Sequence, residues 1–210
     1  MLYRNLHPVL DKLLFPYELI FVDDGSTDRT LEILLSLSEQ NPHVRWLSFS
    51  RNFGHQKALK AGLDYAQGDV VITMDADMQH PSSLISTMLT YWADGYDIVD
   101  TIRIDNKQCS YFKTITSRFF YRLMDFLSDI AITENGADFR LLDKKVVKVL
   151  RDCREEYLFL RGMVSWVGFR RIQIPYQAGI RYAGTTKYSF KKMVLFAVCW
   201  IPAFSTGQFL

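Results

Sequence analysis

Three short apolar runs, Leu19–Val22, Val44–Phe49 and Val70–Met74, each end on a polar segment, and a helix-period pattern follows each one. Repeated β-α alternation builds a mostly parallel, doubly wound α/β sheet with helices on both faces. In such an open sheet the polar segments collect at the carboxyl ends of neighbouring strands, the edge where ligands bind. The segments are Asp23-Asp24-Gly25-Ser26-Thr27-Asp28, Arg51-Asn52-Phe53-Gly54-His55-Gln56 and Asp75-Ala76-Asp77. Two of the three are acidic. Clustered carboxylates repel a bare phosphate, so this edge calls for a divalent metal or for the donor groups of a base and a ribose.

The flanking pattern is consistent with that sheet. Leu2, Leu6, Val9, Leu10, Leu13 and Leu14 form a helical stripe that ends before Pro16, an amphipathic helix and not a secretory leader. Ser26, Thr27 and Asp28 offer N-caps for a helix through Leu31, Leu34 and Leu37. Ala58, Ala61 and Gly62 mark a tightly packing helix, Pro81 a helix start, and Tyr96–Ile104 a further strand. Beyond residue 105 the character changes. Tyr111–Ile130 reads as a long amphipathic helix, Ala137–Leu142 as a strand, Lys144–Leu150 as helical, Arg170–Pro175 as a strand and Ala183–Thr186 as a loop. Met193–Phe204 is almost wholly apolar but far short of the roughly 20 residues a bilayer span needs. With Lys191 and Lys192 before it and Trp200 inside it, it reads as an interfacial helix or the start of a membrane region, against a buried core helix.

Composition narrows the class. With 49% hydrophobic and 14% aromatic residues, the 210-residue chain supports a real core and one α/β domain with an extra element. Cys109, Cys153 and Cys199 lie far apart without a C-x-x-C pair, which points to unpaired thiols in a reducing compartment. The net charge of +2 conceals a division: from Tyr157 onward Arg161, Arg170, Arg171, Arg181, Lys187, Lys191 and Lys192 face no acidic residue. A basic, aromatic segment of this kind suits an anionic partner: nucleic acid, a phospholipid surface or a phosphorylated substrate.

At the end of a strand, alternation aims the two side chains of Asp75-Ala76-Asp77 the same way, fit to hold Mg²⁺ or Mn²⁺ jointly. Asp23-Asp24-Gly25-Ser26 is no phosphate cradle, having one glycine, and no G-x-G-x-x-G follows a strand anywhere. A carboxylate here accepts hydrogen bonds instead, from a uracil N3–H or ribose hydroxyls, while Thr27 and Asp28 read as helix caps. Arg51 and Asn52 can reach phosphate or base, and Gly54 permits close approach of a ligand. His55 fits two roles equally, a ligand contact or a polar helix start.

In this order and spacing the segments V-D-D-G-S-T-D, R-N-F-G-H-Q and D-A-D-M-Q-H-P resemble the family 2 glycosyltransferases of GT-A fold. More narrowly, they resemble the enzymes that make undecaprenyl- or dolichyl-phosphate sugars. Gly136-Ala137-Asp138-Phe139-Arg140 and Ala183-Gly184-Thr185-Thr186-Lys187-Tyr188 are similar to two further segments of that group. The resemblance implies that Asp23, Asp24, Arg51, Asn52 and Gln79 serve the nucleotide donor, with UDP favoured. It implies that Asp75 and Asp77 hold Mg²⁺ or Mn²⁺ and the diphosphate, Asp77 as the more direct ligand. Asp138 would lie near the acceptor and the anomeric carbon, as a positioning group or as a base, with a structural carboxylate paired to Arg140 or Arg161 as the competing reading. Arg181 and Lys187 would meet the acceptor phosphate.

The implied reaction is inverting transfer of a sugar from a nucleotide diphosphate to polyprenyl phosphate, by a metal-dependent hexosyltransferase at the cytoplasmic face of the membrane. Its expected partners are the nucleotide-sugar, the lipid acceptor and the membrane surface, not nucleic acid, and a homo-oligomer stays open. The expected division is a catalytic domain over 1–188 and a juxtamembrane segment over 189–210. Against the family pattern the first strand is missing and no transmembrane helices follow, so the chain reads as truncated at both ends. The rival readings are a soluble transferase acting on a sugar hydroxyl and a non-catalytic membrane-associated remnant.

Overall fold

The computed structural model describes residues 1–13, 15–104, 136–153 and 160–179. The helix expected over Tyr111–Ile130, the loop at Ala183–Thr186 and the apolar segment Met193–Phe204 lie outside the described residues, as do Arg181 and Lys187. The element order is α1 (Leu2–Leu10), β1 (Leu19–Asp23), α2 (Thr30–Gln40), β2 (Val44–Ser48), α3 (His55–Tyr65), β3 (Val70–Thr73) and α4 (Leu84–Ala93). There follow β4 (Ile98–Arg103), β5 (Gly136–Asp143), α5 (Lys144–Asp152), α6 (Leu160–Trp166) and β6 (Arg171–Tyr176).

β1 and β2 pair in parallel, Leu19 opposite Val44 and Asp23 opposite Ser48, so their polar loops leave the same edge side by side. The other four strands form one sheet in the order β3-β5-β4-β6. β4 and β6 run parallel, whereas β5 runs antiparallel to both of its neighbours. β3 and β4 therefore point the same way with β5 inserted between them. Three of the four strands point one way and β5 runs against them, because the periodicity that marks a strand carries no information about its direction.

Two cores cover the two faces of the four-stranded sheet. On one, Leu63 of α3, Val146, Val147 and Leu150 of α5, and Leu160, Met163 and Val164 of α6 pack on Ile98 and Leu142. On the other, Leu6 and Leu10 of α1 and Ile85 and Met88 of α4 pack on Val99, Phe139, Leu141 and Ile174. Adjacent residues Ile98 and Val99 go to opposite faces, as the strand pleat requires. Both are completely buried. By contrast Leu19–Val22 of β1 and Val70–Ile72 of β3 are only half-buried, although the nearly continuous apolar run Val70–Met74 reads as a strand buried on both faces.

Helix starts differ from expectation in two places. α4 begins at Leu84 and not at Pro81, whose carbonyl instead accepts the Leu84 N–H at 3.1 Å in a preceding turn. The Ser82 carbonyl likewise accepts the Ile85 N–H at 3.1 Å, so a turn of i+3 bonds precedes the helix. Nor do Ser26, Thr27 or Asp28 cap α2: its N-cap is Arg29, without a side-chain cap bond, and the Asp28 Oδ1 accepts the Thr30 N–H at 2.9 Å in the turn just before the helix. Among the described residues no helix is long and apolar enough to cross a membrane.

Candidate active site

The loops after β1 and β2 are clamped to each other. Asp23 is buried; its Oδ1 accepts the Ser26 N–H at 3.1 Å and its Oδ2 accepts the Ser48 hydroxyl at 3.0 Å. Asp24 takes the Phe53 N–H at 2.7 Å on Oδ1 and the Gly54 N–H at 3.0 Å on Oδ2. Gly25 has φ +68°, and a Cβ built there would lie 2.3 Å from the Arg51 carbonyl carbon. Only glycine permits that approach. Asp23 and Asp24, expected at the nucleotide, thus spend carboxylate oxygens on the two loops that would carry it. Arg51 and Asn52 are exposed beside them, the Arg51 guanidinium 4.4 Å from the centre of the Phe53 ring.

The loop after β3 carries the D-x-D. Its two carboxylates have different protein partners. Asp77 turns back, its Oδ1 accepting the Gln79 N–H at 3.0 Å across Met78, a non-glycine residue held at φ 69°. Such a backbone is uncommon and strained for methionine. Gln79 accepts Arg103 Nη1 on its side chain at 3.4 Å and the Gly179 N–H on its carbonyl at 3.0 Å. The chain leading from β6 toward Arg181 is therefore pinned against the D-x-D loop at Gly179.

Asp75 sits between two histidines. His80 Nε2 lies 3.2 Å from its Oδ2 and His55 Nε2 lies 3.8 Å from its Oδ1. Burial pushes the Asp75 carboxyl up, but the His80 hydrogen bond and the charges of both histidines more than reverse this, leaving it below the ordinary value. The His80 ring is buried, 5.0 Å from the Phe139 ring and 5.6 Å from the Tyr176 ring.

Asp138 stands on an irregular stretch of β5. Arg140 pairs with Asp100 and Gly136 with Ile102, so three residues of β5 oppose Thr101 alone. A bulge of this kind re-aims a side chain. Hydroxyls from the flanking strands hold it: Thr73 donates to the Asp138 carbonyl at 2.5 Å and Thr101 to the Phe139 carbonyl at 2.7 Å. The Asp138 carboxylate is 3% exposed and accepts Arg161 Nε and Nη2, both at 2.8 Å, and His55 Nε2 at 3.0 Å. Arg140 Nη2 stands 3.6 Å away, itself 3.6 Å from Asp100 through Nη1. Burial raises the Asp138 carboxyl, yet the bonds from His55 and Arg161 and the charges of Arg161 and Arg140 hold it far below the usual carboxylate range. It is anionic at any physiological pH. In return the Asp138 hydrogen bond raises His55 above its ordinary value against burial.

Asp75, Asp138 and His55 thus meet, although 63 residues separate the two carboxylates in sequence. His80 and Arg103 also stand at the site without having been singled out in the sequence. His80 lay within the D-A-D-M-Q-H-P segment, and Arg103 was a lone cation at a strand's end. Among the described residues no group of three or more His, Cys, Asp and Glu is placed to enclose a metal. The donor set still suits a hard cation: two ionisable aspartates in a half-exposed loop offer carboxylate oxygens, and Mg²⁺ or Mn²⁺ takes its remaining ligands from water and phosphate.

Residues 1–151 match the model of the family described as glycosyl transferase family 2. A glycosyltransferase of Bacillus subtilis is 44% identical over 203 residues, 97% of this chain and 63% of its own. A bactoprenol glucosyl transferase of Shigella phage SfV is 37% identical over 204 residues, 97% of this chain and 66% of its own. The chain therefore spans somewhat less than two thirds of the length of these relatives. Among solved structures, a mannosyltransferase of Pyrobaculum calidifontis in complex with GDP-Man and Mn²⁺ aligns with TM-score 0.59 at 17% identity, over 99% of this chain and 61% of that one. Glucosyl-3-phosphoglycerate synthase of Mycobacterium tuberculosis, in complex with Mn²⁺, UDP-glucose and phosphoglyceric acid, aligns with TM-score 0.54 at 16% identity, over 95% and 73%. At such identities the likeness is one of fold.

Proposed function

The chain belongs to glycosyl transferase family 2 and has a GT-A fold, and from that premise we propose that it transfers a hexose from a UDP-sugar to polyprenyl phosphate at the cytoplasmic face of a membrane, with inversion. Support for the acceptor comes from the bactoprenol glucosyl transferases it resembles along nearly its whole length. The observation that carries the mechanism is the state of Asp138, buried and bonded by Arg161 and His55. A carboxylate held so far toward its anion is a poor proton acceptor. Transfer to a sugar hydroxyl needs a base; transfer to a phosphate monoester, whose second pKa is about 6, does not. The site thus fits the phosphate acceptor better than the hydroxyl, and Asp138 acts by charge and position at the anomeric centre.

Asp77 and Asp75 would hold Mg²⁺ or Mn²⁺, which when bound neutralises charge on the departing diphosphate. Arg51 and Asn52, on the loop that Gly25 approaches and whose Phe53 and Gly54 amides Asp24 holds, would meet the nucleotide. Gln79 fixes the D-x-D loop on the donor side through Asp77, Arg103 and Gly179. Arg181 and Lys187, in the basic segment that begins after Tyr157, would take the acceptor phosphate at an anionic lipid surface, where each cation adds about 1 kcal/mol.

Two outcomes test the reading. Asp77→Asn abolishes Mn²⁺-dependent UDP binding in calorimetry while the circular dichroism spectrum stays native; undiminished binding removes Asp77 from the metal site. Lys187→Ala, assayed with polyprenyl phosphate in phosphatidylglycerol vesicles, loses at least about tenfold in acceptor use, the worth of one charge-assisted phosphate contact, and keeps its UDP affinity. Equal losses on both sides would move Lys187 to the diphosphate, and label passing only to a sugar hydroxyl would favour the soluble rival.

A further inference from the structure

We propose that His55 is a positioning residue that ties the donor side of the site to the acceptor side, and that Asp24 sets it in place. The inference deepens the transfer reading and rests on it for its meaning in catalysis. The polar loops after β1 and β2 belong to the two-stranded sheet, whereas Asp75 follows β3 and Asp138 lies on β5 of the four-stranded sheet. His55 crosses between them. It is the first residue of α3, launched from Gly54 at φ 99°, and its Nε2 reaches Asp138 at 3.0 Å and Asp75 at 3.8 Å.

The imidazole donates, because both faces it meets are carboxylates and Asp138 is ionised. Its Nε2–H donates to Asp138 Oδ2, the oxygen that also accepts Arg161 Nη2, while Arg161 Nε takes Oδ1. The charges of Asp75 and Asp138 repel each other; the imidazole donates to Asp138 and stands 3.8 Å from Asp75, where it offsets that repulsion. The place of His55 is fixed in turn by Asp24, whose oxygens hold the Phe53 and Gly54 amides immediately before it. Asp24 thus reaches Asp138 through His55, a series of positioning bonds from the first strand-end loop to the buried carboxylate.

A small displacement of a reacting group costs about 100-fold in rate, which sets the scale of the test. In the full chain, His55→Ala is expected to lower kcat about 10- to 100-fold with the donor KM and the Mn²⁺-dependent UDP affinity within about twofold. His55→Gln, whose amide donates from a position similar to Nε2, recovers most of kcat. A stability cycle over His55→Ala, Asp138→Asn and the double variant reads the link without any turnover. The midpoints should be non-additive by about 2–4 °C, the shift expected for one such bond in a chain of this size. Additive midpoints overturn the inference whether or not sugar is transferred. So does an alanine variant whose kcat is unchanged, or one whose loss lies in UDP affinity, or a glutamine variant that recovers nothing. A wild-type chain that shows the coupling but transfers no sugar to polyprenyl phosphate counts against the transfer reading and leaves the His55 link standing.

Discussion

Asp138→Ala is expected to lower the unfolding free energy by about 3 kcal/mol at neutral pH and to remove detectable transfer. Breaking a buried ion pair from one side costs about 3–5 kcal/mol, because the partner is left buried without its counter-charge. The low end applies here. Arg161 is 40% exposed and can turn to water, and Arg140, 7% exposed, keeps Asp100 at 3.6 Å. Even so, the loss is a large part of the roughly 5–15 kcal/mol that holds a typical domain together. The sign with pH follows from the direction of the shift. The Asp138 carboxyl is depressed by folding, so its stabilisation is fully present above the unfolded value of about 3.9 and is lost as pH falls below that. Chemical denaturation of wild type and variant at pH 7 and at pH 3 checks this: the gap narrows on acidification. A gap that is constant with pH, or a variant as stable as wild type, would show that the Arg161 and His55 bonds contribute nothing net.

Gly25→Ala is expected to abolish measurable UDP-sugar binding while leaving the two cores folded. The added Cβ meets the Arg51 carbonyl carbon at 2.3 Å and the Asn52 nitrogen at 2.7 Å, both backbone atoms that no side-chain rotation can move aside. To the overpacking cost of about 1–3 kcal/mol is added about 1–2 kcal/mol for a non-glycine residue in the left-handed region. The loops escape by separating, which carries Arg51 and Asn52 away from the site. Gly54→Ala is the informative control. Its φ is also positive, but the new Cβ has nothing within 4 Å, so only the backbone cost acts and binding falls less. Calorimetry with UDP-glucose and Mn²⁺ on both variants reads the difference. Equal losses would assign the effect to backbone strain and not to the Gly25 contact.

The strand ends were legible because each apolar run stops at a polar segment: β1, β2 and β3 end at Asp23, Ser48 and Thr73, at or just before the motifs. The pairing of Asp138 with Arg161 was legible as one alternative for its role. The bulge on β5 was not, since it depends on Thr101 and Thr73 from neighbouring strands supplying hydroxyls to its carbonyls. Nor was the contact of His55 with Asp138, a partner 83 residues away. Asp23 and Asp24 illustrate the limit most clearly. Their charge marks a site, but whether a carboxylate faces a ligand or its own backbone is decided by the loop opposite, and Gly25 brings that loop within reach.

The division of the strands into a ladder of two and a ladder of four has a consequence for how the molecule comes apart. Among the described residues β1 pairs with no strand but β2, and its apolar side chains are half-buried, while Ile98, Val99 and Leu141 in the larger sheet are wholly enclosed. Regions with fewer enclosed apolar groups open at lower free energy than the global unfolding. Amide protons of Leu19–Asp23 and Val44–Ser48 should therefore exchange with solvent ahead of those in β4 and β5. The loops that would grip the nucleotide then belong to the cooperative unit that melts first, and occupancy by the donor would raise the stability of that unit before it raised that of the whole.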